Sequence, residues 1–390
     1  MVWYNEFMKI SRLSTSQLKK KLQKGKVLVL YGPRRVGKTT LIKEVLSKQH
    51  VKYKLLNGDE LTTRESLSSQ SQQILSEVLD DNVVLAIDEA QKIENIGLNL
   101  KILVDNYPDR IFLASGSASF DLANKVGEPL TGRKNTSLLY PICFEELKKQ
   151  FGLYEAKKQL DRWLIYGTYP EVVTTENVQK RKDYLDELVG SYLYKDILEM
   201  EGIKHPDKLV NLLRLLAFQI GNEVSITELA SNLSINRETV ERYMDLLEKS
   251  FVIFRVSGFS RNLRKEIAKN DRYYFYDNGV RNSLIQNFNP LHLRDDIGKL
   301  WENFMYIERI KANHYSNRHA NIYFWRTYDQ KEIDMVEERE GKLFGYEFKW
   351  QGKIKTVTKN TFLETYTNSQ VETITRDNFE SFLKIIHNFT

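Results

Sequence analysis

The stretch that most constrains this chain begins at Val27. Val27-Leu28-Val29-Leu30-Tyr31 is a short apolar run of the kind a parallel sheet buries. It leads directly into Gly32-Pro33-Arg34-Arg35-Val36-Gly37-Lys38-Thr39, a complete G-x-x-x-x-G-K-T, and then into Thr40 and a segment with Leu41, Ile42, Val45 and Leu46 at helical spacing. Strand, glycine loop and helix in that order leave few alternatives. The two glycines let the backbone wrap a row of phosphates and turn its N–H groups inward, while the helix N-terminus adds partial positive charge. The expected nucleotide-binding residues are Gly32, Pro33, Arg34, Arg35, Val36, Gly37, Lys38, Thr39 and Thr40. Lys38 is placed to reach the β- and γ-phosphates, and the Thr39 hydroxyl to ligate Mg2+.

A second apolar run, Val83-Val84-Leu85-Ala86-Ile87, ends in Asp88-Glu89. It lies about fifty residues beyond the glycine loop, where a nucleotide-hydrolysing core needs a carboxylate for the Mg2+ shell (Asp88) and one to polarise the attacking water (Glu89). A third run, Ile111-Phe112-Leu113-Ala114, leads into Ser115-Gly116-Ser117. Ser117 reads either as a γ-phosphate sensor or as a turn residue chosen for propensity. Arg133, before the apolar run Ser137-Leu138-Leu139-Tyr140, reads either as a charge completing a phosphoryl-transfer site, in cis or in a neighbouring subunit, or as a surface cation. Strands alternating with helices predict an α/β parallel sheet with its ligand at the C-terminal strand ends.

At 390 residues the chain is too long for one ordinary core, and its 41% hydrophobic and 28% charged residues are those of a soluble globular protein. No apolar run is long enough to read as a membrane span, and the N-terminus lacks the apolar core of a signal peptide. The single cysteine, Cys143, excludes an intrachain disulfide, fits a reducing, cytoplasmic setting, and reads as a packing residue. The net charge of +6 permits an anionic partner without demanding one. Three segments are expected: a P-loop domain over 1–140, a helical and winged-helix region over 141–285, and a further α/β domain over 286–390.

In the middle segment Ser225-Ile226-Thr227-Glu228 has the capping-box pattern that opens a helix. A turn at Ser234-Ile235-Asn236 leads to a second helix, followed by two strands around a basic loop, which is a winged-helix order. The second helix carries Glu238, Glu241, Asp245 and Glu248 beside Arg237, Arg242 and Lys249, too many carboxylates for a groove-reading surface. The loop is different. Arg261, Arg264, Lys265, Lys269 and Arg272 cluster there, either to contact nucleic acid, DNA before RNA, or as a solvated loop or protein interface.

Near the C-terminus Gly345-Tyr346-Glu347-Phe348-Lys349-Trp350 places two charges at alternate positions of an aromatic strand, so Glu347 and Lys349 share one face. Upstream, Asp334 follows Gln330-Lys331-Glu332-Ile333 and is expected to face away from Ile333 and Met335. Glu302 lies on a helix whose Leu300, Phe304 and Ile307 form a core stripe.

Taken in order, YGPRRVGKTTLIKEVL, LAIDEAQKIENIG, ASGSAS, LTGRKNTSLLYPICFEEL, YGTYPEVV, SYLYKDILEM, YYFYDNGVRNSLI, GKLWENFMYIERI, YFWRTYDQKEIDMVEE and GYEFKW cover most of the chain. The sequence resembles the bacterial and archaeal AAA-type ATPases that carry a C-terminal domain related to PD-(D/E)XK nucleases. That resemblance implies ATP binding, Mg2+ dependence and a restriction-endonuclease-like C-terminal fold. On it, Asp334 and Glu347 would hold a metal through hard oxygen ligands with Glu302 assisting, while Lys349 orients water or stabilises charge. The alternative is a structural ion pair in which Lys349 neutralises Glu347 or Asp334. Two functions remain open: an ATPase whose cycle controls a nuclease-like domain acting on nucleic acid, and an ATP-driven switch that binds nucleic acid or protein without cleaving it. The oligomeric state is not readable.

Overall fold

The computed structural model describes residues 9–48, 51–117, 130–193, 205–260, 270–352 and 356–386. The chain divides into two compact units, the first formed by Lys9–Ile142 with Lys249–Phe251 and the second by Cys143–Glu248 with the residues from Val252 onward.

The first unit is built on a five-stranded sheet. Its strands are β1 (Val27–Tyr31), β2 (Tyr53–Asn57), β3 (Val84–Asp88), β4 (Ile111–Gly116) and β5 (Lys134–Leu138), in the order β2-β3-β4-β1-β5. Every pairing is parallel. Parallel strands need crossover connections that cover both faces, which is why β1 and β3 are apolar runs rather than alternating patterns. Val27, Val29, Leu85, Ile87, Phe112 and Ala114 meet Leu75, Leu79, Leu100 and Leu103 in one buried cluster. Each buried Val, Leu, Ile or Phe among them contributes about 1.5–3 kcal/mol. The C-terminal ends of β1, β3 and β4 therefore lie side by side, bringing the glycine loop, Asp88-Glu89 and Ser115-Gly116-Ser117 together.

In the second unit the helices Ile226–Leu233 and Arg237–Lys249 precede the antiparallel strands β6 (Ile253–Gly258) and β7 (Arg272–Phe275). Ser225 opens the first of these helices by accepting from the Glu228 N–H at 3.3 Å, as its capping pattern predicts. β6 also pairs in parallel with β8 (Asn321–Arg326) through Ser257–Tyr323 and Gly258–Phe324. A mixed six-stranded sheet results, in the order β11-β10-β9-β8-β6-β7, with β9 (Glu332–Arg339), β10 (Lys342–Phe348) and β11 (Ser369–Ile374). Strands on both sides of residue 285 thus share one sheet. The long helix Ile297–Tyr315 lies against it: Tyr306 stacks on Tyr274 at 4.2 Å and meets Phe348 edge-on at 5.7 Å, and Trp301 meets Trp350 edge-on at 5.7 Å. Edge-on and offset ring pairs of this kind add about 0.5–1.5 kcal/mol beyond burial.

Two expectations change here. Strict alternation was expected to turn Ile333 and Met335 together away from Asp334. Instead the pairing of β8 with β9 slips by one residue, Tyr323 opposite Val336 but Trp325 opposite Ile333. An extra residue in one strand re-aims the side chains on either side of it. Ile333 accordingly joins Val336, Phe362 and Leu343 in one apolar cluster. Arg272, assigned to the basic loop, opens β7 as a buried residue, its guanidinium 2.9 Å from Glu332 and 4.2 Å from the centre of the Phe324 ring. Arg261, Arg264, Lys265 and Lys269 lie outside the described residues, as does most of SYLYKDILEM.

Candidate active site

In the first unit the glycine loop turns sharply between β1 and the helix Lys38–Ser47. Gly32 has φ +149°, and a Cβ there would fall 2.1 Å from the Leu139 carbonyl oxygen, so no side chain fits. Lys38 is buried, and its ammonium donates to the carbonyls of Gly32 and Pro33 at 2.9 Å each. The loop is braced from outside by Arg12, which donates to Val36 O at 2.8 Å and Tyr140 O at 2.5 Å. Thr39 and Thr40 are exposed in the first helical turn, which carries no acidic side chain to oppose an anion.

Asp88 closes β3. Its Oδ2 accepts from Thr39 Oγ1 at 2.5 Å, and its Oδ1 accepts from the Ser115 hydroxyl and from the Glu89 N–H at 3.1 Å. A hydroxyl and a carboxylate held this close supply the hard oxygens that Mg2+ prefers, and this donor set fits the ion. Glu89 follows in a left-handed conformation (φ 49°, ψ 39°), which costs a non-glycine residue about 1–3 kcal/mol and redirects its side chain out of the strand. Gly58 packs against this turn: its N–H donates to Asp88 O at 2.8 Å, and a Cβ would lie 2.4 Å from Glu89 O. Gln91 donates to Glu89 Oε2 at 2.6 Å and to Ser117 Oγ at 3.3 Å.

Arg133 is not brought to this cluster. Its carbonyl accepts from Val27 N at 2.9 Å, at the N-terminal end of β1, and β5 then runs parallel to β1. A five-residue strand, about 16 Å long, separates it from the loop. Its guanidinium instead pairs with Asp105 at 2.6 Å in a half-exposed ion pair. Arg133 thus lies at the opposite end of the strand from the glycine loop. Arg12, Gly58, Ser115 and Gln91 join the site beyond the residues its motifs announce. Arg12 has no local signal, because its partners lie 24 and 128 residues away. Gln91 was detectable as a polar residue two places after the acidic pair.

The second unit gathers the other charges. Asp334 Oδ2 accepts from Phe348 N at 2.7 Å, and Glu347 pairs with Lys349 at 2.6 Å. Glu347 Oε2 is buried with no hydrogen-bond partner among the described residues. Burial pushes Asp334 well above the usual carboxylate range, and the negative charges of Glu302 and Glu347 push it further, against Lys349. Burial also raises Glu347. Burial opposes protonation of Lys349, but Asp334, Glu347 and Glu302 outweigh it and raise its pKa. Glu302 also accepts from the Tyr274 hydroxyl at 2.6 Å and from Lys299 at 3.3 Å. Among the described residues no three His, Cys, Asp or Glu side chains converge on one point that could hold a metal ion. Beside these residues opens a cleft of 1060 Å³ whose lining includes Trp350, Lys157, Lys359, Thr373 and Arg376. Thr373 lies opposite Glu347 in the β10–β11 register, and the Arg376 guanidinium lies 4.3 Å from the centre of the Trp350 ring.

Residues 24–148 match the family model of a AAA domain. Residues 157–291 and 297–381 match two domains of unknown function, DUF8612 and DUF4143. The AAA-domain match thus falls on the first unit, and the matches to the two domains of unknown function follow it along the chain. An uncharacterized protein of Mycobacterium tuberculosis is 27% identical over 87% of this chain and 73% of its own length. One from Methanocaldococcus jannaschii is 24% identical over 98% and 91%. Among solved structures, a Walker-type ATPase of Pyrococcus abyssi aligns with a TM-score of 0.49 and 16% identity, over 70% of this chain and 94% of that one. Among the described residues no helix is long and apolar enough to cross a membrane.

Proposed function

We propose that the first unit binds ATP with Mg2+ and hydrolyses it, and that this cycle controls a nuclease-like second unit acting on nucleic acid. The observation that carries the ATPase reading is the meeting of Lys38, Thr39 and Asp88: a buried ammonium under the loop carbonyls, and a hydroxyl and carboxylate 2.5 Å apart at the helix start. Mg2+ would be held by Thr39 and, in its outer shell, by Asp88; when bound it supplies charge neutralisation at the β- and γ-phosphates. The loop N–H groups of residues 34–40 bind and orient the phosphates, Lys38 swings from the loop carbonyls onto them, and Glu89 takes the proton of the attacking water. Lys38→Ala should abolish ATP binding in calorimetry with the melting curve retained. Normal affinity in that variant would contradict the assignment.

For the second unit, the orphaned Glu347 Oε2 beside Asp334 supports a site that takes a cation. Asp334 and Glu347 are the pair that would hold it, and Lys349 stands next to them to stabilise charge on a phosphodiester. A regulatory switch that binds without cleaving is the second reading, favoured by the Glu347–Lys349 pair of 2.6 Å, which already satisfies half of the carboxylate. Metal-dependent cleavage of DNA or RNA that vanishes in folded Asp334→Ala separates them. Salt-sensitive binding without cleavage would favour the switch.

A further inference from the structure

Gln91 stands where none of the roles above employs it. It lies on the single turn Ala90–Lys92 directly after Glu89, and only 8% of it is exposed. Its amide nitrogen is 2.6 Å from Glu89 Oε2 and 3.3 Å from Ser117 Oγ. An ionised carboxylate can only accept, so the NH2 end of the amide, not its carbonyl, must face Glu89. The two protons diverge from one nitrogen. One planar group therefore spans the carboxylate after β3 and the hydroxyl after β4.

We propose that Gln91 is a positioning residue that couples Ser117 to Glu89. This rests on the reading that the first unit hydrolyses ATP with Glu89 as base. Glu89 leaves its strand in a left-handed turn, and the Gln91 amide fixes its carboxylate at 2.6 Å. Gln91 holds one carboxylate oxygen, leaving the other to take a proton from water. Ser117, also buried, accepts from Gln91, so its own O–H is left to donate to a phosphate oxygen. A phosphate drawing on that hydroxyl polarises the amide in turn, and hydrogen bonds in such a chain strengthen one another away from water. The presence of the terminal phosphate and the placement of the base are thereby joined through a single amide.

The test is steady-state ATP hydrolysis by the full chain as wild type, Gln91→Ala, Gln91→Glu, Ser117→Ala and the Gln91→Ala/Ser117→Ala double variant. ATP affinity is measured by calorimetry, and folding is checked by melting temperature. Gln91→Ala is expected to lower kcat about 10- to 100-fold, the scale of a misplaced catalytic group, while ATP affinity stays within about twofold. Gln91→Glu should do no better, because it sets a carboxylate against a carboxylate. The double variant should lose about as much as the worse single one, as residues acting as a unit do. The inference is overturned if folded Gln91→Ala keeps the wild-type kcat, if it raises KM alone, or if the two single losses multiply. A wild-type chain that releases no phosphate would instead remove the ATPase reading beneath it, and a Glu89→Gln chain as fast as wild type would remove Glu89 as its base.

Discussion

Arg12 shows how much of the nucleotide site depends on single long-range contacts. It donates to the carbonyls of Val36 and Tyr140, tying the glycine loop to the segment after β5 that the β1–β5 pairing already brings alongside. Arg12→Ala should cost about 1–3 kcal/mol in denaturant unfolding, the range for losing charged hydrogen bonds to partly buried carbonyls, and should weaken ATP binding by loosening the loop. Asp277 is the corresponding residue in the second unit. Its carboxylate accepts from Thr168 N at 2.7 Å, Gly279 N at 2.8 Å and Val280 N at 3.2 Å, tying the turn after Tyr166 to the helix Asn278–Leu284. Burial nevertheless raises its pKa to about 6, the three N–H groups and Lys311 only partly offsetting it. A carboxyl whose pKa is raised on folding stabilises fully below its unfolded pKa, and that contribution is lost as pH rises through the folded value. Wild type should therefore lose stability relative to Asp277→Asn between about pH 4 and pH 7, by at most about 3 kcal/mol, with no further relative change above. Paired melting curves across that range check it.

At the scale of elements, the β3 terminus is set by what packs behind it. Gly58 leaves space for the Glu89 carbonyl, and Gly58→Ala would place a methyl 2.4 Å from that oxygen. The expected result is a loss of about 1–3 kcal/mol from overpacking, with a fall in kcat because the turn carrying Glu89 must move. Elements are also where the sequence was most and least legible. The apolar runs at β1, β3 and β4 announced a buried parallel sheet, because strands covered on both faces need no alternation. The shared face of Glu347 and Lys349 followed from strand periodicity, and their 2.6 Å pairing agrees with it. The bulge in β9 could not be foreseen, since one extra residue leaves no mark on composition while reversing the alternation that placed Ile333. Arg272 looked like one more loop cation, although its partner Glu332 lies 60 residues on, and Arg133 sits at the wrong end of β5 for a residue adjacent in sequence to an apolar run.

For the whole molecule, the two compact units make separate stability statements possible. The second depends on a buried pair in which Arg309 Nε and Nη2 donate to Glu337 at 2.7 and 2.6 Å. Glu337→Leu should destabilise it by about 3–5 kcal/mol, because a buried guanidinium is left without its counter-charge, and adding Arg309→Met should restore much of the loss. Thermal unfolding of the single and double variants reads this directly. Mg-ATP at about 100 times its Kd should add about 2.7 kcal/mol to the first unit. If the nucleotide cycle controls the second unit, its transition should shift as well. The most direct test of the central claim is phosphate release from Mg-ATP by wild type and Glu89→Gln at matched, calorimetrically verified ATP occupancy. The expected result is steady release by wild type and a loss of two or more orders of magnitude in the variant, about the size of a general-base contribution. Equal release by both, or none by an ATP-loaded wild type, would contradict it.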